Sequence, residues 1–139
     1  MAINLFDKQF TLLEKSMSLR VRRNSLIASN VANRETPGYR AKDLVFEKQL
    51  GRALHSDRPG PLKTTDSRHF DGIEREALES VEGEQINSFN PDPSMDGNTV
   101  NLDKEMAKLA ENQLMFQAMT KAVNWEFRML KSAITEGGR

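Results

Sequence analysis

The sequence predicts a mainly α fold: long N- and C-terminal helices pairing as a coiled-coil-like bundle, joined by a short irregular or extended middle segment. Three observations carry that expectation. All five prolines and six of the eight glycines fall between residues 34 and 100, so neither residue type interrupts 1–33 or 102–136. Both ends carry apolar residues at alternating steps of three and four. The middle is apolar at only 18 of its 67 positions, too few for a large core of its own. The chain thus divides into an N-terminal assembly helix (1–33), a turn-rich middle (34–100) with a short helix at 42–54, and a C-terminal assembly helix (101–139). Two long helices with little core between them describe a part that assembles, not an enzyme that encloses a substrate.

The first helix is expected to be capped by Asn4, with Asp7 favouring its positive start. Its seam runs Phe6, Phe10, Leu13, Met17, Arg20, Asn24, Ile27, Val31, six of the eight apolar. Leu5, Leu12, Leu19 and Leu26 add a flanking row at a strict seven-residue step. A buried Asn24 would fix the register of the seam; the alternative is that Asn24 and Arg20 face solvent where the seam drifts. Arg20, Arg22 and Arg23 form a basic cluster whose ordinary reading is a solvated face.

The helix runs into a turn motif made of Asn30, Asn33, Thr36, Pro37, Gly38 and Tyr39. Asn33 suits a left-handed helix-closing conformation. Pro37 forces Thr36 toward an extended shape, and Pro37-Gly38 fits the centre of a type II turn. Beyond the short helix, residues 55–98 read as loop with short extended pieces. His55 and His69 lie 14 apart without metal-ligand spacing. Asp71, Glu74, Glu76 and Glu79 read as a solvated charge run. No nucleophile elbow, P-loop or dinucleotide-binding glycine pattern occurs, so no catalytic, cofactor or metal residues are assigned.

Asn101 is the expected N-cap of the last helix, with Asp103 in its first turn. One seam runs Leu102, Met106, Leu109, Gln113, Phe116, Thr120, Val123, Phe127, Leu130, Ile134. A second runs Met115, Met119, Ala122, Glu126, Met129, Ala133, and Leu114, Ala118 and Trp125 widen it. Gly137-Gly138 is expected to end the helix. From about residue 114 this helix is apolar over most of its circumference, so it needs cover on several sides. The first helix covers one. Other chains are expected to supply the rest, with the ends of an isolated monomer mobile until they dock. The polar face mixes lysine and glutamate without basic excess, which argues against anionic lipid as the cover.

Bulk composition narrows the alternatives. Twenty basic residues balance twenty acidic ones, so there is no basic field for nucleic acid. With no cysteine, disulfides and thiolate metal sites are excluded. No window is apolar enough to span a bilayer, and Met1 to Asp7 lacks the basic start and apolar core of a cleaved secretory signal.

The run Ser29-Asn30-Val31-Ala32-Asn33, followed by Thr36-Pro37-Gly38-Tyr39, resembles the N-terminal signature of the bacterial flagellar axial proteins, the family of rod, hook and hook-associated subunits. The stretch from Asp96 to Met106, then Leu109-Ala110-Glu111-Asn112-Gln113, resembles the C-terminal signature of the family's proximal-rod subunit, and the brief middle favours that subunit over hook or distal rod. The resemblance covers roughly residues 5–50 and 95–135. It implies a structural subunit of the flagellar basal-body rod that self-assembles through its terminal helices. It implies export through the flagellar type III apparatus without a cleaved signal, and a place in the basal body within the cell envelope and periplasm. The implied partners are copies of itself, other rod proteins, the basal-body base and the export apparatus, with no nucleic acid, small-molecule substrate or cofactor. The seam residues of both helices are the expected assembly interface. The alternatives are another short rod subunit of the same family, or a coiled-coil adaptor or export chaperone.

Overall fold

The computed structural model describes residues 2–54, 78–90 and 94–136, and side chains from residue 9 to residue 135 within them. The elements are α1 (Ala2–Ala32), β1 (Lys42–Val45), α2 (Glu47–Leu54), β2 (Glu84–Asn87) and α3 (Leu102–Glu136). The fold is mainly α, with the two long terminal helices the sequence predicts. His55, His69, Asp71, Glu74, Glu76 and Gly137-Gly138 lie outside the described residues, as do the side chains of Leu5 and Phe6.

The ends of the first helix differ from expectation, and the start of the last helix agrees. α1 begins at Ala2, so Asn4 lies inside it and is not its cap. No described residue other than glycine has positive φ, so Asn33 does not close α1 in a left-handed conformation. Instead the Asn33 N–H donates to the carbonyls of Ser29 and Asn30, and its side-chain amide donates to Ser29 O at 2.8 Å. Asn101 caps α3 as predicted: its Oδ1 accepts from Lys104 N–H at 3.0 Å.

The stretch 42–54 is a strand followed by a helix, not one short helix. Leu44 and Phe46 are both fully buried. Residues two apart share a face in extended chain but point about 200° apart on a helix, so burial of this pair selects the strand. β1 pairs antiparallel with β2, Lys42 opposite Asn87 and Val45 opposite Glu84.

The densest packing lies under the middle segment, not along the helix pair. Leu19, Leu44, Phe46, Ala53, Leu78 and Val81 form a buried cluster, with Leu12, Leu26, Leu50 and Leu54 packed on it. Leu12, Leu19 and Leu26 of the seven-step row therefore face the middle segment, which contributes more core than its low apolar content suggested. The rest of α1 meets α3 running antiparallel: Asn30 contacts Glu105, Arg20 contacts Asn112, and the rings of Phe10 and Phe127 lie 5.3 Å apart. The interlocked turns sit at one end of this pair and both chain ends at the other.

Candidate assembly site

Two turns interlock at the end of the helix pair. In the first, Tyr39 N–H closes back on Thr36 O at 3.3 Å, and Gly38 has φ of 69°. This is the predicted type II turn at Pro37-Gly38, which places φ > 0 at its third position. The second turn, around Asp96-Gly97, docks on it. Gly38 N–H donates to Asp96 O and Thr99 N–H to Tyr39 O, both at 3.0 Å. Gly97 has φ of 79°, and a side chain there would approach Gly38 Cα to 3.8 Å. Replacing Gly38 by valine forces a branched side chain into that left-handed backbone, costing about 1–2 kcal/mol. The expected result is a urea unfolding midpoint lowered by a corresponding amount, read by circular dichroism.

Two asparagines tie the interlock down. Asn98, fully buried, donates through Nδ2 to the carbonyls of Asn33, Arg34 and Thr36 at 2.8–3.0 Å and accepts Val100 N–H on Oδ1. It thereby ties the second turn to the backbone of the segment that follows α1. Asn30, also fully buried, sits where α1, β1 and α3 meet. Its Nδ2 donates to Lys42 O at 2.7 Å and to Glu105 Oε2 at 2.8 Å, while its Oδ1 accepts from Lys42 N–H at 2.9 Å and Tyr39 O–H at 3.3 Å.

A chain of charges extends from that point. Glu105 is almost fully buried and pairs with Lys108 at 3.2 Å; Lys108 reaches Asp43 at 3.1 Å, and Asp43 meets Arg23 at 2.9 Å. Arg23 also pairs with Glu47 at 2.8 Å. Burial alone would raise the Asp43 carboxyl, but hydrogen bonds from Arg23 and Lys108 outweigh it and hold it below the ordinary carboxylate value. The Arg23 guanidinium is likewise held above its ordinary value against the effect of burial, by Asp43 and Glu47. Asp43 is the depressed-carboxylate case, so its stabilisation is complete above the unfolded value of roughly 3.9 and lost as pH falls through the lowered folded value. Urea midpoints should hold level from pH 7 to pH 5 and fall below pH 4. Asp43→Asn should lose about 2 kcal/mol at pH 7 and flatten that acid decline.

The arginine cluster is a solvated face only at Arg22, which is exposed. Arg20 is buried, hydrogen-bonded to Asn112 Oδ1 at 3.3 Å, and lies with Arg23 over the Phe46 ring. Burial pushes its guanidinium below the ordinary value. Arg22 donates to Glu82 O at 3.0 Å. These side chains fasten the middle segment to α1. Asn24 is exposed, so it does not set the register. The buried pairs Arg20–Asn112 and Asn30–Glu105 stand at the positions that do. Asn98, Glu105 and Asn112 are all buried and recur every seven residues. That polar row was the signal available in the sequence, and an apolar seam search passes over it.

The seam residues divide between contact and solvent. Ile27 is buried; Phe10, Leu13, Met17, Val31, Leu109, Phe116, Met119, Val123 and Leu130 are half-buried. Leu102, Met106, Phe127 and Ile134 are exposed. A straight helix drifts against a strict seven-residue repeat, so one seam cannot stay on the partner over 35 residues. Beside the contact, Leu114, Met115, Ala118, Ala122, Trp125 and Met129 share one flank of α3. Trp125 is 55 % exposed, Leu114 67 % and Ile134 77 %. No described helix is long and apolar enough to cross a membrane, and the described residues hold no cluster of three or more potential metal ligands.

No model of a known protein family matches the chain. The flagellar basal body rod protein FlgB of Bacillus subtilis is 33% identical to it over 135 residues, covering 97% of this chain and 99% of the relative. The FlgB protein of Cereibacter sphaeroides is 36% identical over 129 residues, covering 93% and 95%. The chain belongs to the FlgB family of flagellar basal body rod proteins. The Escherichia coli FlgB protein extends the likeness at 28% identity over 139 residues. These alignments run nearly end to end, so the FlgB likeness takes in both terminal helices and the middle segment alike. As a FlgB-family chain the protein is a structural component of the basal-body rod.

Proposed function

We propose that this chain builds the proximal end of the flagellar rod by packing its terminal helices against copies of itself and against other rod proteins, next to the basal-body base and the export apparatus. It carries out no catalysis. It reaches the rod through the flagellar type III channel without a cleaved signal, a route suited to a chain free of cysteine. The observation that carries this reading is the flank of α3 from Leu114 to Met129, too apolar to remain in water and left bare by the described residues of α1 and the middle segment. The interlocked turns hold α1 and α3 at a set angle, so the flank is presented rigidly at one end and can close against neighbours along its length. Tagged protein in purified basal bodies, viewed by electron microscopy, tests the assignment. Label at the base of the rod supports it; label confined to the hook, or absent from basal bodies of swimming cells, contradicts it.

A further inference from the structure

A groove of about 190 Å³ opens between α1 and α3, lined by Arg20, Val21, Asn24, Asn112, Gln113, Phe116 and Gln117. Its apolar walls are Val21 and Phe116, and Asn24, Gln113 and Gln117 are exposed at its rim. Arg20 is only 8 % exposed, and its Nε has no hydrogen-bond partner among the described residues. The volume matches one aromatic side chain, since a cavity of roughly 150 Å³ accepts benzene. An arginine in the wall favours an aromatic ring, indole most of all. The rim amides supply acceptors for an indole N–H, which must find one when buried.

The chain contains one tryptophan, and it is more than half exposed. Trp125 does not line its own groove; it lies eight residues, about 12 Å, beyond Gln117 along α3. The groove also opens onto an unpartnered face of α1. Glu14, Ser18, Val21, Ser25, Ala28 and Ala32 are all exposed and follow steps of four and three. The bare flank of α3 has the same spacing through Met115, Ala118, Ala122, Trp125 and Met129, and bulky residues flank its alanines. One face offers projections and the other low relief, over similar lengths of helix.

We propose that Trp125 of one copy seats in the Arg20–Phe116 groove of the next, with the α3 flank of the first lying along the α1 face of the second. This rests on the rod-subunit reading and specifies its self-contact. The contact joins two different surfaces, so it is head-to-tail and propagates instead of closing a two-fold dimer.

Cysteine pairs test it against a chain that has no cysteine of its own. One heptad from Trp125 on α3 is Ala118; one heptad from Val21 on α1 is Glu14 in one direction and Ala28 in the other. All three are exposed. E14C/A118C, A28C/A118C and A118C alone are each expressed as the sole copy in swimming cells, and purified basal bodies are oxidised and run without reductant. One double variant should give a ladder of dimers and higher multimers, its identity reporting parallel or antiparallel helices, while A118C alone stays monomeric. Dimers from A118C alone indicate a face-to-face contact and overturn the proposal. Swimming cells with no ladder from either double variant overturn the docking alone. Basal bodies of swimming cells that lack the chain overturn the rod reading and the docking with it.

Discussion

Asn30→Ala should destabilise the protein by about 3–5 kcal/mol, the largest effect expected from any single truncation in the chain. Asn30 fills all of its hydrogen-bonding capacity at a fully buried position. Its removal leaves Lys42 N–H, Lys42 C=O and the Glu105 carboxylate each short of a partner. Every buried group so stranded costs about 1–3 kcal/mol, with the charged one at the upper end. That total is a large part of the roughly 5–15 kcal/mol that holds an ordinary domain folded. Asn30→Asp keeps the acceptor oxygen but loses the donor and sets a second negative charge against Glu105, so it should not rescue. Asn24→Ala, at an exposed position on the same helix, should stay within about 0.5 kcal/mol. Urea unfolding followed by circular dichroism checks the set. A shift below about 1 kcal/mol for Asn30→Ala means that the network carries no stability.

The second large effect falls on assembly and leaves folding intact. Trp125→Glu and Met129→Glu change half-exposed side chains, so monomer stability should move by no more than about 0.5 kcal/mol. If a neighbour covers this flank, the same change buries an unpaired carboxylate in an apolar contact, which costs several kcal/mol at every subunit junction. Swimming should be abolished, and basal bodies should end below the rod. Asn124→Glu, exposed on the polar side of α3, places the same charge on the same helix outside both the flank and the groove; its cells should swim. Normal rods from Trp125→Glu show that the flank remains open to water in the assembly.

These two outcomes separate the two halves of the molecule that the sequence discloses unequally. The terminal helices, the Pro37-Gly38 turn and the Asn101 cap were legible because each depends on local chemistry: spacing, fixed φ and a side chain reaching its own helix start. The bare flank of α3 was legible too, as apolar residues exceeding what one partner helix covers. What was not legible depends on contacts distant in sequence. Leu44 and Phe46 read as a helix until β2, some 40 residues later, gives β1 a partner. Arg20 and Arg23 resemble a solvated face until the middle segment folds onto them. Glu105 and Asn112 are polar residues at core-facing positions, and their partners Asn30 and Arg20 lie 75 and 92 residues away. Apolar periodicity finds surfaces that must be hidden. It does not find polar groups that must be matched.

In this account α3 is anchored at residues 102–113 by buried polar contacts with its own chain and, beyond that point, covered by α1 on one face and by other copies on the rest. Amide hydrogen exchange, measured on the dilute monomer and on purified rods, tests it most directly. The monomer should protect residues 30–44 and 98–112 strongly and exchange quickly from 114 to 134, and rods should protect all of them. Slow exchange from 114 to 134 in the dilute monomer, equal to that at 98–112, contradicts the account.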